Sequence, residues 1–177
     1  LESAQTAASR QILTNPAIFY DHATNIMITL QIEKPDKKEI ADLISQLDDF
    51  LNSLYPPECN HLLDIKTLMQ PDVIFLTAKV AHKYVGCGAI RIVRGQYAEI
   101  KRMFVLPGER GKGIGYKILT ELQNIALRLK LNVLRLETGV RQSDALKLYE
   151  KFGFYKISAF GEYKPSGMCL FYEKRIG

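Results

Sequence analysis

The chain has 177 residues, 47% of them apolar, with 24 Lys and Arg against 19 Asp and Glu and a formal net charge of +5. That length supports one domain with a real core, and no apolar run approaches the ~20 residues that a bilayer-spanning helix needs. The basic residues are scattered without an aromatic-interleaved stripe, so the charge suits a small anionic ligand and makes no case for nucleic acid or membrane as partner.

Residues 1 to 26 precede Met27, carry no signal-peptide pattern and show no clear strand or helix period. They read as an N-terminal extension or an expression-derived leader, with the domain proper at 27–177. Met27 to Ile32 makes a natural first strand. Pro35 to Leu54 is an amphipathic helix with apolar Ile40, Leu43, Ile44, Leu47, Phe50, Leu51 and Leu54; Pro35 fits a first turn, and Pro56-Pro57 ends it. Asn60 to Met69 predicts a short second helix. Val73–Val80, Tyr84–Val93 and Tyr97–Val105 predict three strands in a meander. A helix follows from Ile114, then a short apolar strand at Val133–Glu137 and a helix at Gln142–Lys151 closed by Gly153. Phe154–Phe160 and Met168–Glu173 predict a final strand pair. Strands on both sides of two long helices make an α/β domain with a mixed sheet. Cys59, Cys87 and Cys169 are odd in number and lack metal-ligand or CxxC spacing, so no metal is expected. Cys87 and Cys169 lie in apolar runs and read as buried thiols, which favours a reducing cytoplasm.

Chemistry concentrates at residues 99–115, Glu-Ile-Lys-Arg-Met-Phe-Val-Leu-Pro-Gly-Glu-Arg-Gly-Lys-Gly-Ile-Gly, a strand entering a glycine-rich turn that opens a helix. Gly111, Gly113 and Gly115 leave backbone amides uncovered where the positive end of the helix dipole lies. The turn is therefore a seat for phosphate oxygens, with Arg110 and Lys112 adding charge. Spacing then selects the ligand. The third glycine interval is wrong for the dinucleotide fingerprint, and Ile114 stands where a P-loop needs lysine.

Arg110-x-x-Gly113-x-Gly115 resembles the acetyl-coenzyme A signature (Gln/Arg-x-x-Gly-x-Gly/Ala) of the GNAT N-acetyltransferase superfamily. Downstream, Ala145-x-x-Leu148-Tyr149-Glu150-Lys151-Phe152-Gly153-Phe154 is similar to that superfamily's Ala-x-x-Leu-Tyr-x-x-x-Gly-Phe segment. The resemblance covers about residues 27 to 176. It implies a mixed, mostly antiparallel sheet of about six to seven strands flanked by helices, with two central parallel strands that splay apart. It also implies acetyl-CoA as co-substrate, without a metal. Its pantetheine arm would lie between residues 97–106 and 133–138, pairing with main-chain groups of Met103 and Val105, the Met103 amide donating to the thioester oxygen. Its diphosphate would lie on residues 110–115: Arg110, Gly111, Lys112, Gly113, Ile114 and Gly115.

The same resemblance nominates two catalytic groups. Glu99, eleven residues before Arg110, occupies the place of a catalytic glutamate and is the candidate general base. Strand alternation puts Lys101 on its face, so a Glu99–Lys101 surface pair is the competing account and a water-mediated base reconciles the two. Tyr149, with an ordinary pKa of ~10, is the candidate acid for the leaving thiolate; its competing role is packing at a helix end. Gln142 stands where the pattern more often has asparagine, a better cap, so Ser143 is expected to cap that helix.

Tyr55-Pro56-Pro57-Glu58-Cys59-Asn60-His61-Leu62-Leu63 links the first two helices, the region that shapes the acceptor pocket in this superfamily. With Leu136-Glu137-Thr138-Gly139-Val140-Arg141-Gln142 it looks like a bacterial subgroup labelled small-molecule or indole-acetic-acid-type acetyltransferases. Glu58, His61, Lys101 and Arg141 are the substrate candidates, and Lys101, Arg102 and Arg141 are the cations for an acceptor carboxylate. The expected function is direct acetyl transfer to the primary amine of a small acceptor in the cytoplasm. Acetylation of proteins or peptides and a non-catalytic acyl-CoA-binding module are the alternatives, and a homodimer is left open.

Overall fold

Alternation along one central strand decides the layering. In Val73–Val80, Leu76 and Ala78 enter one hydrophobic core and Phe75 enters another, so both faces of the strand are covered. The computed structural model describes residues 15–21, 25–56 and 62–177. In chain order the elements are β1 (Ala17–Asp21), β2 (Ile26–Ile32), α1 (Lys38–Leu54), α2 (Ile65–Leu68), β3 (Val73–Val80), β4 (Lys83–Val93), β5 (Tyr97–Val105), α3 (Ile114–Arg128), β6 (Val133–Gly139), α4 (Ser143–Phe152), β7 (Tyr155–Ile157) and β8 (Cys169–Arg175). The eight strands form one sheet in the order β1-β2-β3-β4-β5-β6-β8-β7. All neighbours run antiparallel except β5 and β6, which are parallel. This is the mixed, mostly antiparallel sheet that the sequence leads one to expect.

Helix α3 buries Ile114, Ile118, Leu119, Leu122, Ile125 and Ala126, spaced three and four apart, against one face of the sheet. Helix α1 buries Ile40, Leu43, Ile44 and Leu47 against the other, where Phe75, Cys87, Ala89 and Phe104 meet it. A third, smaller cluster of Tyr97, Phe160, Cys169 and Phe171 closes the sheet over β5, β6 and β8.

Elements differ from expectation by more than a residue or two in five places. The strand expected at Phe154–Phe160 narrows to Tyr155–Ile157. Helix α1 starts at Lys38, not at Pro35, which lies in the turn before it. The short second helix is reduced to Ile65–Leu68, its start fixed by the Asp64 side chain accepting from the Thr67 amide at 2.7 Å. Ser143 does not cap α4; it lies inside the first turn, Gln142 holds the cap position without a side-chain bond, and Asp144 supplies the negative charge favoured there. Residues 17–21, which show no period, pair in register with β2 and add an eighth strand at the edge. A five-residue strand is too short for alternation to declare itself.

Candidate active site

The site originates in a bulge. Between Cys87 and Ala89 the β4–β5 register slips by one residue, so that Phe104 faces Cys87 and Lys101 faces Ala89. The extra residue falls at Arg102, whose φ of 54° lies in the left-handed region. A side chain there costs about 1–2 kcal/mol. Arg102 is held in place by side-chain bonds to Asp48 on α1 and to the Leu63 carbonyl. The bulge bends β5, and its pairing with β6 ends at Ile100–Leu136. Beyond that point the two parallel strands diverge, and cavities open on either side of the gap.

The larger cavity has a volume of about 820 Å³ and lies between the end of β5, the start of α3 and the flank of α4. Gly111 and Gly113 take φ of 79° and 72°, conformations that glycine adopts at no steric penalty, and Gly113 is the cap of α3. Lys117 is the residue whose amide bonds back to the Gly113 carbonyl, at 3.1 Å. The amides ahead of it have no partner within the helix and border the cavity. Val105 and Met103 form the opposite wall.

The smaller cavity, about 90 Å³, lies on the α1 side between β5, β6, the 62–63 segment and the start of β8. Leu47, Met103, Gln142 and Tyr149 border both cavities, so the two meet at the Tyr149 side chain. Tyr149 is 6% exposed; burial, with the Glu137 carboxylate adding to it, pushes its hydroxyl above the ordinary tyrosine value. It is a firmly protonated group at neutral pH. One wall of the small cavity is fixed by a clamp: the Tyr55 ring packs so closely on Gly139 that no Cβ fits there, and its hydroxyl accepts from the Arg141 amide at 2.7 Å.

Glu99 is 4% exposed and does not border either cavity. Its carboxylate accepts from the Tyr163 hydroxyl at 2.5 Å and from Lys101 Nζ at 2.9 Å. Lys101 also bonds the Tyr163 hydroxyl and lies over its ring, 4.9 Å from the centroid. The expected Glu99–Lys101 neighbourhood is therefore present, but it is buried, which removes the surface-pair account. Burial, and then the Glu99 carboxylate, push the Tyr163 hydroxyl above its ordinary value, so Tyr163 stays a donor.

Of the cofactor candidates, Met103, Val105, Arg110, Gly111, Gly113, Ile114 and Gly115 all line the larger cavity. Lys112 does not; it pairs with Glu109 at 2.8 Å. Arg110 donates to the Val105 carbonyl at 3.1 Å and lies over the Phe50 ring. Lys101 borders the small cavity. Arg102 is committed to Asp48 and Leu63, and Arg141 donates to the Leu54 carbonyl at 2.8 Å, so both are better described as braces than as carboxylate receptors. Glu58 and His61 lie outside the described residues. Sequence reasoning quoted Tyr55 and Glu137 only within acceptor-side stretches, read Cys169 only as a buried thiol, and missed Tyr163. Glu137 was legible as the end of an apolar strand, but not as a wall residue. Cys169, outside the glycine motif, is a buried thiol bordering the small cavity. Among the described residues no group of three His, Cys, Asp or Glu is placed to hold a metal, and no helix is long and apolar enough to cross a membrane.

Residues 40–154 match the acetyltransferase (GNAT) family. The chain is 45% identical over 150 residues to the IAA acetyltransferase of Azospirillum brasilense, covering 84% of this chain and 98% of that one. A solved structure from Klebsiella pneumoniae, provisionally described as an acyl-CoA N-acyltransferase, superposes with a TM-score of 0.74 at 31% identity over 85% of this chain and 98% of its own. The PaiA N-acetyltransferase of Thermoplasma acidophilum, solved in complex with coenzyme A, shares the fold with a TM-score of 0.62 at 19% identity, over 82% and 98% of the two chains.

Proposed function

The chain belongs to the GNAT acetyltransferase family and is an acetyl-CoA-dependent N-acetyltransferase, and from that premise we propose that its acceptor is the primary amine of a small, carboxylate-bearing molecule. The observation that carries this reading is the volume of about 90 Å³ on the far side of Tyr149, walled in part by Lys101. A space of that size accommodates a compact amine and disfavours a peptide chain. The name of the Azospirillum relative, IAA acetyltransferase, supports the small-molecule part of this reading.

When bound, acetyl-CoA supplies an activated acetyl thioester. The glycine turn and the first amides of α3 would hold its diphosphate, and the main chain of Met103 and Val105 would hold the arm that leads to the thioester. The Arg110 side chain then has to leave the Val105 carbonyl that it now occupies. Met103, which borders both cavities, brings its amide to the junction, where a donor to the thioester oxygen is useful. Tyr149, at the junction of the two cavities, holds a proton at its hydroxyl that it would offer to a leaving thiolate there. Glu99, whose carboxylate lies behind Lys101 and borders neither cavity, would take the ammonium proton through a chain of waters. No acetyl-enzyme is required, and the buried thiols of Cys87 and Cys169 suit a reducing cytoplasm. A panel of amines, amino acids and peptides, read by release of free thiol from acetyl-CoA, tests the reading. Small amines should react and peptides should not; thiol release with peptides alone would reverse it.

A further inference from the structure

We infer that the acceptor is a small zwitterion, its carboxylate received by Lys101 and its ammonium by Glu137; this rests on the small-amine reading above. The register supplies the first observation. Glu99 pairs with Arg135 and Ile100 with Leu136, so Lys101 and Glu137 are the next facing positions, on the same side of β5 and β6. In an unbroken ladder, strands lie about 4.8 Å apart and opposite charges at facing positions would close on each other. Here pairing stops one residue earlier, and both side chains border the small cavity in the gap. Two opposite charges facing each other across a small space match a molecule that carries both.

The cation is held from behind. Lys101 gives one hydrogen to Glu99 at 2.9 Å and one to the Tyr163 hydroxyl, which leaves the third of its ammonium donors for the cavity side. Glu99 and Tyr163 thus act as positioning residues for Lys101. Glu137 is, among the described residues, the one carboxylate on the cavity wall. It shares the wall of the small cavity with Lys101 and Tyr149. An ammonium received there lies beside Tyr149, at the junction with the cofactor cavity. The neighbouring Arg102 is turned away onto Asp48 and Leu63, so the cation offered to a carboxylate is Lys101. Acetylation turns the ammonium into a neutral amide, so product keeps the Lys101 contact and loses the Glu137 one. It should therefore leave more readily than substrate binds.

The test compares glycine, β-alanine and 4-aminobutanoate with the amines that lack only their carboxylate, methylamine, ethylamine and propylamine. Binding to the full chain at pH 7 is followed by NMR titration without acetyl-CoA, and KM by thiol release with it. At least one amino acid should bind about tenfold or more tightly than its amine. Lys101→Gln should shrink that margin below about twofold, and Lys101→Arg should retain most of it. Glu137→Gln should weaken amino acid and amine alike by about 10- to 100-fold, with Glu137→Asp intermediate. Melting temperatures of all variants check that each is folded. Equal binding of amino acids and amines by the wild type, or a Lys101→Gln that weakens both classes equally, would overturn the proposal. If uncharged aromatic amines release thiol while no zwitterion binds, the acetyltransferase reading stands and this inference is wrong. If no amine of any kind releases thiol, the small-amine reading itself fails.

Discussion

The two cavities that meet at Tyr149 are built by opposite means. The larger is made largely of backbone: a glycine turn, the open amides of α3 and the end of β5, which is left open on its β6 side. The smaller is made of side chains drawn from α1, β5, β6, α4 and β8, with Tyr55 bonded to the Arg141 amide and Lys101 paired with Glu99. A backbone site binds what is constant, a diphosphate and its arm, because amide geometry follows from local sequence. A side-chain site can be retuned one residue at a time, which is what a changing acceptor demands. The contrast predicts that substitutions on the two sides fail differently.

Tyr149 belongs to both sides, and Tyr149→Phe should have the largest effect. Turnover is expected to fall ~10²–10⁴-fold with acetyl-CoA affinity little changed, since the hydroxyl matters only once charge develops on sulfur. Because burial raises its pKa above the ordinary tyrosine value, the wild type should show no loss of rate from this group as pH approaches 10. Steady-state kinetics from pH 6 to 10 checks both points; wild-type rates in the mutant would make Tyr149 a packing residue.

Glu99→Gln should come next, and its effect should depend on the acceptor. An alkyl amine arrives at pH 7 as ammonium, with a pKa near the ~10.4 of lysine, and cannot attack until a proton leaves. The mutant should lose about 10- to 100-fold at pH 7 and recover part of it in alkaline buffer, where free amine is supplied by solvent. Parallel pH–rate profiles for mutant and wild type would assign Glu99 to the support of Lys101 alone. On the cofactor side, Gly113→Val should act purely on binding. A β-branched residue at φ 72° is strained by about 1–2 kcal/mol, enough to distort the turn while α3 stays packed. At about 100 times its dissociation constant acetyl-CoA should stabilise the wild type by about 2.7 kcal/mol, and the same concentration should stabilise the mutant by distinctly less. Equal shifts in melting temperature would move the diphosphate site elsewhere.

The same contrast explains what could be read from the sequence. The cofactor half was legible because three glycines, an arginine and a following amphipathic helix are contiguous, and contiguity fixes geometry. The meander was legible because β3, β4 and β5 are successive strand-like runs of eight, eleven and nine residues separated by short turns. The acceptor half was not. Nothing in the order of residues says that Tyr163 returns to Glu99 64 positions earlier, or that Tyr55 seats on Gly139 and reaches the Arg141 amide 86 positions later. The bulge at Arg102 was equally hidden. Strict alternation puts Arg102 on the face opposite Lys101, whereas the extra residue lets it turn to α1 and the 62–63 segment. That one irregularity converts a candidate substrate ligand into a brace.

A variant remote from both cavities gives the comparison its baseline. Glu33, at the end of β2, accepts from Thr77 at 2.7 Å and Tyr84 at 3.0 Å, and it pairs with Lys79 at 2.9 Å and with Lys37. Burial alone would push its carboxyl up; the hydrogen bonds from Lys37, Thr77, Lys79 and Tyr84 together outweigh that and hold it at about 2. The folded value lies below the unfolded one of ~4.3, so the stability it contributes is fully present above the unfolded value. It is lost as pH falls from there toward about 2. Glu33→Gln should therefore lower stability at pH 7 by about 1–3 kcal/mol, and the gap from wild type should close as the pH drops through that window. Thermal melts between pH 2 and 7 measure it. Catalysis at 25 °C should not follow, because Glu33 borders neither cavity. If kcat/KM fell together with the melting temperature, the site would be coupled to the far edge of the sheet. The losses expected at Tyr149, Glu99 and Gly113 would then have to be measured against that shared softening.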